Sequence, residues 1–492
     1  MIHPDIPYLI KVKDKPGRYR FLHAVGILLL FMAIPVKGQY FSTQYLMDRV
    51  PQSNQLNPAL QPGCKIFIGF PGLASVGTAV DNNFLTYNTL VNGDELAVDE
   101  VYARMGRMNF LNISADISPI SIGYRYKQNY FTFSIADRFQ TAVSYPKRLA
   151  GVLLYGNEQF IGQRARIRNT RVNSSYYREY SVGISTKWDE FTTLGMRGKL
   201  LFGKVNFATS GSRLELETDR ESYALHLSGN LGLNSSFPFT LNQDANGLIS
   251  GAELQEINIL SMLMNPRNPG LAFDLGLVHE YSDEITLYGS VLDLGMILWT
   301  HQLNQVSASA DYIYDGVQSN DFTDGAYVID LYDSIYTNTS FILGQNVYLT
   351  PLPATVIMGA SYTYLEFLDL GLVLRTGIRN RSLHGALTAS ANTTLTDWLQ
   401  ATVSWSYMNR SFLNAGAGLA YTGRGFQLFA VTDNVLGFLR PYDTRSVNFR
   451  FGMNLMLGCP GTKYYKEREV GRAMVPCPPG QKKRASLFGK KR

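Results

Sequence analysis

Long hydrophobic runs are what this chain most conspicuously lacks. Beyond its first forty residues, the 492-residue sequence has no stretch of 18 apolar residues, so it offers no transmembrane helix. Cysteine is scarce as well. Cys64, Cys459 and Cys477 are too few and too scattered for a disulfide framework, and no CxxC pair points to zinc. Catalytic signatures are missing: there is no HExxH, no GxSxG and no glycine-rich phosphate loop. His226, His279, His301 and His384 show no metal-ligand spacing. These absences point away from an enzyme. A basic domain is missing too, although the net charge is +6. Residues 1–38 hold six basic and two acidic residues, and 458–492 hold ten and two, which leaves 39–457 at −6. Nucleic acid is therefore not an expected partner.

What is present begins with a leader. Lys11, Lys13, Lys15, Arg18 and Arg20 precede an apolar segment over Phe21–Pro35, and Val36-Lys37-Gly38 supplies small residues for a peptidase. That order predicts a cleaved secretory signal peptide over 1–38, with an apolar run too short for a stable anchor. Residues 39–64 lack strand alternation and are expected to fold into the lumen or mouth as a small plug. Residues 458–492, with Pro460, Pro476, Pro478, Pro479 and a closing Lys-Lys-Arg, read as a flexible, basic periplasmic tail.

Between these ends, 65–457 reads in period two. Val447, Phe449, Phe451, Met453, Leu455 and Leu457 alternate with Asn448, Arg450, Gly452, Asn454 and Met456. Leu399–Tyr407 and Tyr130–Tyr145 repeat the pattern, except that Asp137 falls on the apolar register, where a bulge or an exit from the lipid band is expected. These segments run about ten residues or more, the length a tilted strand needs to cross a bilayer. Short turns at 127–129, 188–190, 282–284 and 394–397 alternate with long connections at 81–107, 146–172, 237–268 and 301–352. Aromatics make up 12% of the chain, and Trp188 and Trp398 flank two of the short turns, as in an interfacial girdle. The expected fold is an all-β transmembrane antiparallel barrel of 14 to 16 strands, with one or two short helices in its loops. Val447–Leu457 is expected to close the wall against a first strand near 65–80, because a sheet edge cannot lie open in hydrocarbon. Residues 194–236 read either as one long bent hairpin or as several shorter strands. That choice decides the side on which 237–268 emerges. The location implied is the outer membrane, in contact with its lipids.

Three sets of residues are candidates for specific chemistry. Asn242, Asp244, Asn246, Leu248, Ser250 and Glu253 follow the spacing of a twelve-residue calcium loop, with Gly247 at its sharp turn. A helix-like segment over 252–264 follows them. The competing account is an Asn-Gly turn with Ser250 as a helix cap. Arg138, Arg375 and Arg450 lie on inward registers and are candidates for lining the lumen, with Asp274 and Glu280 as pairing acids. In an oxidising compartment, Cys459 and Cys477 are a candidate disulfide. The alternatives are free thiols or a bond from Cys459 to Cys64.

Four stretches carry a family resemblance: Leu56-Asn57-Pro58-Ala59; Ile68-Gly-Phe-Pro-Gly-Leu73; Tyr177-Arg-Glu-Tyr180 with Lys199-Leu-Leu-Phe-Gly203; and Ser290-Val-Leu-Asp-Leu-Gly295. Through them, nearly all of 39–457 resembles an uncharacterised outer-membrane barrel family of Bacteroidota. That family is distantly similar to the fatty-acid-transporter (FadL) and type IX secretion PorV types. The resemblance implies a 14-stranded barrel with an N-terminal plug, and no ligand-binding residues carry over. Two functions follow as expectations. One is a passive port whose hydrophobic or amphipathic ligands bind in the lumen and leave through a gap in the wall. The other is a non-catalytic scaffold or carrier in secretion, gliding or envelope assembly, met by a protein partner through the loops or the basic tail.

Overall fold

The computed structural model describes residues 41–459, apart from short segments of the connections, chiefly 257–263 and 315–335. Residues 1–40, where a signal peptide is expected, and those beyond Cys459, including Cys477, lie outside the described residues.

Fourteen antiparallel strands close into one barrel. They are β1 (Ile66–Gly69 and Ser75–Asn82, interrupted between), β2 (Met108–Tyr126), β3 (Asn129–Pro146), β4 (Arg171–Lys187), β5 (Thr192–Thr218), β6 (Pro269–Glu280) and β7 (Ile285–Trp299). The wall continues with β8 (Tyr348–Pro351 and Thr355–Leu365), β9 (Leu368–Arg379), β10 (Ser382–Thr396) and β11 (Leu399–Met408). It ends with β12 (Ser411–Thr422), β13 (Phe426–Thr432) and β14 (Ser446–Leu457). The seam is the pairing of β14 with both halves of β1, with Ile66 opposite Leu457 and Val76 opposite Phe451. Closure leaves the wall no edge in the apolar zone.

The period-two pattern sorts the side chains. On β5, Gly195, Arg197, Lys199 and Leu201 are buried inside, while Met196 and Leu200 stand on the outer surface. The same outward apolar face continues through Leu271, Phe273, Leu294, Met296, Val403, Trp405 and Leu419. Asp137 shares this outer register with the phenylalanines of β3, and a bulge lies on its neighbour β2 between Ile117 and Ile120. Arg178 stands directly across on β4 and binds the Asp137 carboxylate at 2.8 Å, so the charge is paired within the wall.

Tight turns join the strands at one end, and both the first and last strands terminate there. Their carboxylates do local work. Asp189 accepts hydrogen bonds from the backbone N–H of Phe191 and Thr192, and these bonds hold its pKa below the usual carboxylate range. Trp188 and Trp398 are exposed beside these turns.

The opposite end carries the long connections. There β5 runs well past its wall partner β6 and turns at Asp219 into a strand at Leu225–Ser236. So 194–236 is a single long hairpin, and 237–268 emerges on the long-loop side. Strands Arg164–Arg168, Leu303–Tyr314 and Thr339–Gly344 extend this sheet beyond the barrel. At the branch, Trp299 is fully buried, stacks on Tyr348 and donates its indole N–H to Thr350. Gly203 is required there, because a Cβ would lie 2.4 Å from the Trp299 ring. Helices α1 (Val98–Arg104) and α2 (Lys147–Tyr155) pack in the loops at this end, with Tyr102 against Tyr155.

Candidate functional site

The interior is occupied by the chain's own N-terminal segment. Residues 41–64 run through the lumen in two short 3-10 turns, Thr43–Leu46 and Pro51–Gln55, and Gln44, Tyr45, Met47 and Val50 have almost no exposure. Tyr45, Leu46, Met47, Val50 and Leu56 form an apolar cluster with wall residues from six strands. The barrel's core is therefore made around the plug.

Polar bonds fix the plug at every level. The Asp433 carboxylate accepts the Ser42 and Thr43 N–H groups at 3.1 and 2.8 Å. Gln52 exchanges two bonds with Asn454, at 2.7 and 3.0 Å, and Asn454 also donates to Gln427. Arg197 binds both the carbonyl and the side chain of Asn54. The Asn57-Pro58-Ala59 motif has a local cause. Asn57 accepts the Ala59 N–H in an Asx turn and donates to the Tyr45 hydroxyl and the Leu277 carbonyl. Pro58 then seats against Gly195 and Gly276, where an added Cβ would clash.

The segment leaves the lumen at Cys64, which is disulfide-bonded to Cys459. This corrects the expected pairing of Cys459 with Cys477. The reason is register: Ile66 lies opposite Leu457 across the seam, so two residues further on Cys64 and Cys459 come face to face, with Cα atoms 3.9 Å apart.

Above the plug lie two spaces, one over the other. The lower, about 90 Å³, is bounded by Phe41, Leu56 and wall residues that include Arg138, Arg375 and Arg450. The three arginines singled out in the sequence thus meet at one place. Arg450 binds Asp116 at 2.8 Å and lies 4.0 Å over the Phe41 ring, and Arg138 binds Glu179 at 2.7 Å. Lys199 is nearly inaccessible and reaches Asp274 and Asp293 at 2.8 and 2.6 Å, with Arg197 also on Asp274. Asp274 is therefore a lumen acid, but its partners are Lys199 and Arg197. Glu179, Lys199 and Asp293 lie in the stretches that carry the family resemblance but were not read there as lumen charges, and Asp116 was not singled out, although the inward parity of β5 marks Arg197 and Lys199.

The upper space is a cavity of about 1110 Å³ toward the long-loop end. It is lined by hydroxyls and amides, including Asn173, Ser175, Thr209 and Asn234, by Arg168, Arg171 and Arg213, and by apolar patches at Val172, Leu349, Leu352 and Ile378. Among the described residues, no carboxylate lines it. Gln140 and Pro353 border both spaces.

The segment 242–253 does not adopt a calcium-loop arrangement. It forms a β-hairpin, Phe239–Gln243 with Ile249–Leu254, and the described part of the expected helix over 252–264 is strand at its start. Asp244 is used by the turn, accepting the Asn246 and Leu248 N–H groups at 2.9 Å. Asn242 donates to Glu253, and the Leu248 carbonyl accepts the Asp244 N–H. Asn242, Asp244, Glu253 and the Leu248 carbonyl are thus engaged in the hairpin's own hydrogen bonds, with Asn246 in its turn and Ser250 on its second strand. Among the described residues, no group of three or more histidine, cysteine or acidic side chains is arranged to hold a metal.

Residues 58–433 match the family of unknown function DUF5723. The chain belongs to that family. No curated protein sequence matches the chain. Among solved structures, this family member is similar to the Pseudomonas putida toluene transporter TodX, at 8% identity and TM-score 0.34, over 82% of this chain and 91% of that one. A Pseudomonas aeruginosa FadL homologue is similar at 11% identity and TM-score 0.36, over 83% and 94%. The Ralstonia pickettii toluene transporter TbuX is similar at 10% identity and TM-score 0.32, over 83% and 94%.

Proposed function

We propose that the protein is an outer-membrane port for hydrophobic or amphipathic small molecules, closed at rest by residues 41–64. The observation that carries this reading is the plug itself. A structural barrel needs no private segment threaded through its lumen, held by reversible hydrogen bonds and tethered covalently at one end only among the described residues. Such a segment blocks passage while it stays and opens a path when it shifts. The outward apolar face is what a bilayer accepts, and the polar interior is what a spanning barrel of this size contains. The cavity over the plug mixes apolar patches with hydrogen-bonding groups, which suits a molecule with both.

The port reading is tested in planar bilayers. The intact mature chain is expected to conduct poorly. Deleting 41–63, which leaves Cys64 in place, should raise conductance severalfold while the barrel still migrates differently on a gel before and after boiling. In cells, the protein should sediment with outer membranes. Recovery as a soluble protein without detergent would end the membrane reading. Equal, low conductance from a correctly folded deletion, with a partner protein co-purifying, would favour the scaffold instead.

A further inference from the structure

Three cations stand on the outer surface where β4, β5 and β6 leave the apolar zone. Arg178 lies on the outer register of β4, across from Phe202 of β5. Lys204 follows the inward Gly203 at a bulge in β5, and its amine donates to the Asn265 carbonyl. Arg267 is exposed and precedes β6, in a turn closed by its own N–H on the Asn265 side chain. The turn Asn265–Arg267 therefore holds the second and third cations together, and Lys204 is within electrostatic range of Arg178. Strand length sets their level. A tilted strand crosses the hydrocarbon in about 9–11 residues. Counted from the tight turns, that length brings β4 to Arg178, β5 to Lys204 and β6 to the residues beside Arg267. Just below, Tyr180 meets Phe202 edge-on at 5.8 Å, as aromatic rings do at a membrane boundary. Further down the same strands, Val182, Leu200, Leu271 and Phe273 are exposed.

We infer that this belt binds the phosphate headgroup of an outer-leaflet lipid, whose acyl chains lie along the apolar strip beneath. The inference rests on the barrel standing in the outer membrane, and not on its serving as a port. None of the three cations has to be free. Arg178 directs Nε and Nη2 at Asp137, and Arg267 donates from Nη1 to the His301 ring. A guanidinium has five N–H donors, so each arginine keeps donors for phosphate oxygens, which its fork matches. Lys204 is 5% exposed, so it adds charge behind the arginines rather than a contact. Among the described residues, Lys204 and Arg267 are bonded to a carbonyl and an imidazole, not to carboxylates. Residues 257–263, which lead into this turn, carry no charged side chain. Clustered cations at the headgroup level are what anionic lipids recognise. A diacyl lipid without phosphate gains only the strip, and a soluble phosphate only the arginines.

The full mature chain in detergent is titrated with dimyristoyl phosphatidic acid and followed by native mass spectrometry. Dimyristoylglycerol supplies the same chains without the phosphate, and inorganic phosphate supplies the headgroup without the chains. Phosphatidic acid is expected to bind at least tenfold more tightly than dimyristoylglycerol, and millimolar inorganic phosphate should not displace it. The double variant Lys204→Gln, Arg267→Gln should bind phosphatidic acid at least tenfold more weakly, with its boiling-dependent gel shift unchanged. Should the double variant not assemble, Arg267→Gln alone decides, with a loss of at least threefold expected. Lys127→Gln removes an exposed cation from a tight turn at the other end of the barrel and should bind the lipid as the unaltered chain does. Equal binding of the two lipids, displacement by inorganic phosphate, unchanged binding by the variants, or an equal loss in Lys127→Gln would overturn the inference. It fails separately from the port. Equal binding of both lipids to a barrel that the plug deletion opens leaves the port and removes the headgroup site. Selective binding of phosphatidic acid to a barrel that the deletion does not open leaves the site and removes the port.

Discussion

At the scale of single residues, facing decides consequence. Phe451 and Asn454 are three apart on β14, yet one lies on the apolar outer face and the other is wholly inside. Phe451→Arg places a charge on the outer face, at a cost of about 2–4 kcal/mol near mid-bilayer. Reduced assembly into the heat-modifiable form is the expected outcome. Asn454→Ala should leave assembly intact but remove the bonds to Gln52 and Gln427, loosening the plug and raising bilayer conductance. Equal assembly defects in the two variants would show that the facing is wrong. Asp433 has a sharper role, because one carboxylate holds two consecutive N–H groups at the plug's tip. Bonds to a charged acceptor contribute about 1.5–3 kcal/mol. Asp433→Ala should therefore increase the reactivity of a cysteine placed at position 45 toward a soluble thiol reagent, with little effect on the wall.

At the scale of elements, the barrel strands were legible and the plug's interior was not. Alternation in Val447–Leu457 and Leu399–Tyr407 marks which side faces out, because the period of a strand is fixed by its geometry. The segment 41–64 has no period, so its place could be inferred only from its lack of one and from the family resemblance. Its partners lie hundreds of residues away. The hairpin at 239–254 shows the opposite failure. Oxygen-bearing residues at loop spacing, with a glycine at the turn, are shared by a calcium loop and an Asx-type hairpin turn. Only the backbone pairing Thr240 to Glu253 separates the two. Asp244→Ala should thus increase proteolysis within 239–254, whereas Glu253→Gln should change it little and calcium should not protect either form. The disulfide belongs at this scale too, for it ties the plug's exit to the last strand. In a chain-entropy account a bond closing so long a loop, with a separation of 395 residues, contributes on the order of 5 kcal/mol. Cys64→Ser should lower the temperature at which the folded gel form is lost. An unchanged transition would mean that the seam's strand pairing alone sets that temperature.

For the molecule as a whole, the charge distribution was visible in the sequence only as a total. The inward arginines were readable one at a time from their registers, but their meeting beneath one cavity depends on how fourteen strands are rolled. The same holds for Asp293, 94 residues from Lys199 along the chain, whereas Glu179 and Lys199 already stand on directly paired strands. One feature of the plug bears on time rather than shape. Its bonds to Asp433, Arg450 and Asn454 span 391, 406 and 402 residues, as far as the seam pair Ile66 and Leu457, while many other wall strands meet through turns of a few residues. Contacts so distant in sequence form late, after local pairing has shortened the path between them. The plug residues are then among the last to find their place. In refolding, the pairing of hairpin strands should precede both the heat-stable closed wall and the protection of position 45 from labelling, because the seam and the plug close over the same distance along the chain.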